Sequence, residues 1–230
     1  MHPIPKVIVF DVNETLSDMS TIAERFRAVG VPGHLAKLWF AHLLRDGFAL
    51  VATGDNVEFA EVGASVLRAL LTDVPLDRDL ESAVSHVMDG MADLDVHSDV
   101  GPGVRSLTAA GFRVVTLSNG AAQVAERLFA RAELRSEFDL LLSVADAETW
   151  KPGRSAYEHA AAACGVSMEE MMLMAVHPWD LHGAAAAGMS TGWVNRVGAS
   201  WPSYFGAPDV TVESLEELAG VLGGQRDPTS

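Results

Sequence analysis

The feature that most constrains this chain is its first apolar run. Lys6 is followed by Val7, Ile8, Val9 and Phe10, apolar at every position, and the run closes on the charged Asp11. A strand apolar at consecutive positions is buried on both faces, the condition of a parallel sheet covered by helices on each side. Runs of the same kind recur at FRVVTLS (112–118), LLLSV (140–144), MMLMAV (171–176), STGWVN (190–195) and DVTV (209–212). Most are separated by Ala- and Leu-rich segments of helical period, so the chain reads as strand–helix–strand units. The expected class is α/β, with a Rossmann-like parallel core.

The first strand breaks that rhythm. Between VIVF and FRVVTLS lie four amphipathic helical patterns, MSTIAERFRAVG, GHLAKLWFAHLLRDGFAL, NVEFAEVGASVLRALLTDV and LESAVSHVMDGMADL. An insertion of that size just after strand one would sit over the carboxyl edge of the sheet as a cap. The division expected is a core of residues 1–16 and 98–230 with a helical cap of residues 17–97. DVGPGVRSLTAAG, with Pro102 and its flanking glycines, reads as the return to the core. GGQRDPTS (223–230) has the composition of a tail.

Charge narrows the function. Sixteen basic residues against thirty-one acidic give a net charge of −15, which repels nucleic-acid backbones and anionic lipid. A small anionic substrate would need local positive potential from Lys, Arg or backbone N–H groups. Cys164 is the only cysteine, so no intrachain disulfide forms and a reducing compartment fits. With no signal-peptide layout at the N-terminus and no span-length apolar segment, a cytoplasmic protein without membrane or nucleic-acid partners is expected.

In open parallel sheets ligands bind beyond the carboxyl ends of the strands. The polar residues ending the apolar runs are Asp11, Ser118 with Asn119, Lys151 in TWKPGRSAY and Asp180 in MAVHPWDLHG. Singly, each has an ordinary explanation as turn, cap or solvated charge. Four in order, each at a strand end, point to a site.

These residues resemble the haloacid dehalogenase superfamily over the whole chain. FDVNETL is similar to its first motif, with Asp11 as nucleophile and Thr15 bonding it; Ser118, Lys151 and Asp180 match the motifs that follow. A carboxylate ringed by N–H groups of the following turn and paired with a lysine stays ionised, as a nucleophile must. Glu14 takes no role in this reading.

Most of that superfamily are Mg²⁺-dependent phosphatases with a second Asp two residues after the nucleophile. Here Asn13 stands there, and an amide cannot give and recover a proton as a carboxylic acid does. VHPWD offers one carboxylate where Mg²⁺ would want more oxygen ligands. The chain is instead similar to the metal-independent 2-haloacid dehalogenase branch. There Asn119 would contact halide, and Tyr157 after the lysine and Trp179 in the last motif would contact substrate.

The resemblance implies that Asp11 displaces halide from the α-carbon of a short 2-haloalkanoic acid, and that water activated near Asp180 hydrolyses the ester. Ser118 and turn N–H groups would hold the substrate carboxylate, and Lys151 would orient Asp11. It also implies no cofactor, Mg²⁺ entering only under a phosphatase reading, and a homodimer. The chain departs from the branch at Asn13, where it has Tyr, at Ala175 and His177, where it has Ser and Asn, and at Ala41, where the cap supplies Arg. Arg45, one helical turn on, is the expected replacement, and His177 could position the hydrolytic water. A non-catalytic, repurposed member is the third reading. Of Trp39, Phe40, Phe48 and Phe59, at most one or two are expected to line the site, since aromatics at helical spacing are more often core.

Overall fold

The computed structural model describes residues 4–147 and 149–223; the tail reading of 223–230 falls, beyond Gly223, outside the described residues. All six apolar runs form strands of one parallel sheet: β1 (Val7–Phe10), β4 (Arg113–Ser118), β5 (Leu140–Ser143), β6 (Met171–Ala175), β7 (Ser190–Val194) and β8 (Val210–Val212). Their order is β5-β4-β1-β6-β7-β8. β1 therefore lies between β4 and β6, with Phe10 beside Thr116 on one side and Met174 on the other.

Alternation along β1 explains the unbroken apolar pattern. Val7 and Val9 join a core shared with α7 (Arg154–Cys164) and α8 (Pro178–Ala187). Ile8 and Phe10 face the opposite core, built with α5 (Val100–Ala109), α6 (Ala122–Arg131) and α9 (Leu215–Gly223). Both faces are covered, so each β1 side chain is fully buried. Cys164 is buried at the end of α7.

After β1 the chain enters β2 (Ser17–Asp18), which pairs antiparallel with β3 (Asp95–Val96). This two-stranded ribbon brings together the two ends of a helical excursion made of α1 (Ile22–Arg27), α2 (Leu35–Thr53), α3 (Phe59–Leu71) and α4 (Leu80–Ala92). The helices terminate as their residues dictate. Gly54 ends α2 in the left-handed region (φ 78°), and the Asp79 carboxylate accepts from Ser82 N at 2.9 Å at the start of α4. The Trp39 indole donates to Gly63 O at 2.9 Å, tying α2 to α3. Pro102 is not in a linker: it occupies the first turn of α5, where a missing N–H has no helical partner to lose.

The excursion and the core share one hydrophobic cluster, in which Trp39, Phe40 and Leu43 join Trp150, Tyr157 and Leu181. Phe59 meets Trp150 with ring centroids 5.4 Å apart, and the Trp150 indole donates to Val57 O at 2.9 Å. These contacts lie directly beside Lys151, so the packing of the two parts bears on the site.

Candidate active site

Asp11 follows the last residue of β1, at the carboxyl edge of the sheet and between the ends of its neighbours. Its N–H donates to Met174 O at 3.1 Å, which continues the pairing to β6 and aims the side chain outward from the strand end. The next residues turn sharply, with Leu16 N and Ser17 N both donating to Val12 O at 2.9 Å. Glu14 sits within that turn at φ 61°, a left-handed conformation uncommon for a residue with a Cβ. The turn is held from outside: Arg196 donates to Thr15 O at 2.9 Å, and a His97 ring nitrogen lies 3.0 Å from Glu14 O. Arg196 is itself fixed by three bonds to Asp99 at 3.0 to 3.2 Å.

Side chains surround the Asp11 carboxylate. Thr15 Oγ1 donates to Oδ2 at 2.7 Å and accepts from Val176 N at 3.1 Å. Lys151 Nζ donates to Asp11 Oδ1 at 2.8 Å and to Asp180 Oδ2 at 2.6 Å, with the lysine side chain fully buried. His177 Nδ1 lies 3.1 Å from Asp11 Oδ2. Three side chains, Lys151, Thr15 and His177, thus meet the carboxylate directly, while of the turn amides Leu16 N and Ser17 N are engaged on Val12 O.

Asp180 lies behind the lysine in the first turn of α8. That helix begins at Pro178, with His177 as the residue before it. The Tyr157 hydroxyl donates to Asp180 Oδ1 at 2.7 Å and approaches its carbonyl oxygen at 3.0 Å. The two helices come this close at Gly183, where a Cβ would stand 2.6 Å from both the Tyr157 hydroxyl and the Pro152 side chain. Tyr157, expected to contact substrate, is fully buried and instead holds Asp180 in place.

Asn119 likewise turns inward: its Oδ1 accepts from Lys151 N at 2.9 Å and its Nδ2 lies 3.4 Å from Lys151 O, clamping the lysine backbone. Ser118 Oγ accepts from Gly120 N at 2.9 Å, which leaves its own O–H as a donor. Arg45 is not brought to Asp11. It is exposed, paired with Asp46 at 2.8 Å, and lines a separate cavity between α2 and α3 with Glu61, Val62 and Ser65. Ala41 and Arg45, one turn apart, share the exposed side of α2, and the Arg45 guanidinium is held there by Asp46 rather than carried to Asp11.

One contact was not read from the sequence. Glu14 Oε2 lies 2.8 Å from His177 Nε2, so the imidazole bridges Glu14 and Asp11. Two of the cap aromatics, Phe40 and Phe48, meet site residues, within the one or two expected. Phe40 lies 6.2 Å from the His177 ring, Phe48 meets Trp179 edge-on at 4.8 Å, and Phe59 packs on Trp150. Trp39 and Phe59 pack in the shared core as expected, while Trp179 stacks on His177 at 5.3 Å.

Burial and charge compete throughout the cluster. Burial pushes the Asp11 carboxyl up, but the Lys151 ammonium and the His177 contact outweigh it and hold the group well below the usual carboxylate range. Burial pulls Lys151 down, and the charges of Asp11 and Asp180 overcome that, so its pKa rises. Burial pushes Asp180 up; Lys151 opposes and the Asp11 charge adds, leaving it raised. Burial likewise lowers His177, but the hydrogen bonds to Asp11 and Glu14 and their charges hold it up to about 9. At neutral pH the cluster thus carries an ionised Asp11 between two cations.

A family model of haloacid dehalogenase-like hydrolases matches residues 5–188. The chain belongs to that family. Among curated members, haloacetate dehalogenase H-2 of Moraxella sp. (strain B) is 27% identical, over 94% of this chain and 97% of that protein. An (S)-2-haloacid dehalogenase of Pseudomonas sp. (strain YL) is 30% identical over 93% and 92%. The L-2-haloacid dehalogenase of Xanthobacter autotrophicus superposes with a TM-score of 0.86 at 25% identity, covering 96% of this chain and 99% of that one.

As to metals, this family member has no group of three or more His, Cys, Asp or Glu side chains suited to one among its described residues. Asp11 Oδ1 and Asp180 Oδ2 both point at the Lys151 ammonium, which fills the place a cation would need. The donor set does not fit Mg²⁺.

Proposed function

We propose that this chain hydrolyses short 2-haloalkanoic acids to 2-hydroxy acids through an ester on Asp11, without a metal. The observation that carries this reading is the Asp11 carboxylate at the sheet edge, held ionised by Lys151, Thr15 and His177. Such a carboxylate is aimed by its partners and can attack a carbon bearing a leaving group without first losing a proton. One Asp11 oxygen bonds to the α-carbon as the carbon–halogen bond breaks, and halide leaves with the electron pair. The Ser118 hydroxyl donates to the substrate carboxylate. Lys151 remains on the Asp11 carboxyl group and stabilises negative charge when water later adds to its carbon.

The names of the curated relatives, haloacetate and (S)-2-haloacid dehalogenases, support the substrate class. Asn13 and the lysine-filled donor set support metal independence over phosphoryl transfer. In this reading the enzyme is a cytoplasmic homodimer. No described helix is long and apolar enough to cross a membrane.

Halide release from chloroacetate and L-2-chloropropionate, assayed with chelator present, tests the proposal. Release is expected in the chelated sample and absent in Asp11→Asn. Mg²⁺-dependent cleavage of phosphate monoesters without halide release would overturn it, and silence on both substrate panels would favour a repurposed protein.

A further inference from the structure

The second half of this reaction needs a base, and the contacts of Asp180 disqualify it. Asp180 is fully buried, with Oδ2 on Lys151 and Oδ1 on Tyr157, so neither oxygen faces a water beside Asp11. His177 is placed differently. Its Nδ1 lies at the Asp11 carboxyl group, its Nε2 is on the Glu14 carboxylate, and its side chain keeps 12% exposure. A carboxylate on the far nitrogen fixes the ring and stabilises the imidazolium as it forms, the arrangement that makes a histidine a base.

On the footing of the dehalogenase reading, we propose that His177, oriented by Glu14, takes the proton from the water that hydrolyses the Asp11 ester. In the free chain the imidazole is already protonated and donates to Asp11, so it is no base there. Esterification changes that, because an ester carries no negative charge. With the Asp11 charge gone, one of the interactions holding the proton is lost, and His177 gives it to solvent as halide departs. Water then adds to the Asp11 carboxyl carbon and passes one proton to Nδ1. The leaving oxygen of the 2-hydroxy acid takes that proton from His177, and the Asp11 carboxylic acid left behind returns its own to Nδ1. One substrate and one water thus yield one 2-hydroxy acid, one halide and one proton, the proton appearing with the halide.

The charged groups around this imidazole are consistent with the cycle. From the turn after β1 come Asp11 and Glu14, and beyond Asp11 stand Lys151 and Asp180. From α2 and α8 the faces presented are the rings of Phe40 and Trp179, which carry no charge. Arg196, paired with Asp99, and His97 touch this turn at the backbone carbonyls of Thr15 and Glu14. Glu14 remains after esterification and still orients the ring.

The test is a single turnover of wild type, His177→Gln and Glu14→Gln with L-2-chloropropionate near neutral pH. It reads halide, protons by indicator dye in weak buffer, and ester on the Asp11 peptide by mass spectrometry. Wild type is expected to release its proton with halide. His177→Gln should release halide without that proton, accumulate ester, and turn over about 10²- to 10⁴-fold more slowly. Glu14→Gln should accumulate ester with a smaller loss. The proposal is overturned if folded His177→Gln turns over without accumulating ester, or forms neither halide nor ester. Should His177→Gln fail to fold, Glu14→Gln decides alone, and turnover like wild type with no ester overturns the proposal. No halide from wild type would instead remove the dehalogenase reading itself.

Discussion

Gly47, in the middle of α2, lies against the Trp150 indole so closely that a Cβ there would stand 2.3 Å from a ring carbon. Trp150 immediately precedes Lys151 and is anchored on its other side by its bond to Val57 O. The cap helix is thereby seated on the residue next to the lysine that holds Asp11. Replacing a glycine inside a helix by alanine ordinarily stabilises by about 1 kcal/mol. Here the overlap should reverse the sign, since overpacking a filled core costs about 1–3 kcal/mol. Gly47→Ala is expected to lower the urea midpoint and, by shifting Trp150, to slow halide release; a more stable, fully active variant would contradict the close contact.

Lys151→Met should be the most damaging substitution to both stability and chemistry. It leaves Asp11 and Asp180 buried on either side of an apolar chain, and removing one partner of a buried ionic group costs about 3–5 kcal/mol. Asp11 would then retain a proton it now loses readily. Ester formation, read by mass spectrometry after a rapid quench, is expected to disappear even in samples shown to be folded.

Stability should fall on the alkaline side of neutrality because of His177. Folding raises its pKa from 6.5 to about 9, so its contribution is complete below pH 6.5 and lost as pH climbs through about 9. The amplitude is of the order of 3 kcal/mol, shared with Asp11, whose low pKa reflects the same contact and is counted once. Asp11 itself loses its share only in acid, below the usual carboxylate range. Denaturation midpoints across this window should decline in wild type and flatten in His177→Gln.

Arg45→Ala should leave kcat/KM for halide release within about twofold, and stability nearly unchanged. Its ion pair with Asp46 is exposed, and such pairs contribute little. A loss of two orders of magnitude would mean that the guanidinium crosses to the site during turnover.

The sequence by itself determined the parallel sheet and the strand-end residues. Side chains apolar on both faces leave β1, β4 and β6 no alternative to burial between helices, and a charged residue closing such a strand must emerge at its carboxyl edge. Asp11 and Ser118 could be read on those grounds because strand ends are written locally, whereas Lys151 stands eight residues beyond the end of β5 and Thr15 lies in the turn after β1. What tertiary structure decided were the directions of polar groups that can turn either way. Asn119 and Tyr157 face inward to support Lys151 and Asp180, and Arg45 faces solvent. Glu14 and His177, 163 positions apart, meet because a turn at φ 61° swings one carboxylate toward the start of α8. No spacing rule encodes that meeting, since it depends on a backbone conformation held by Arg196 and His97 from distant parts of the chain.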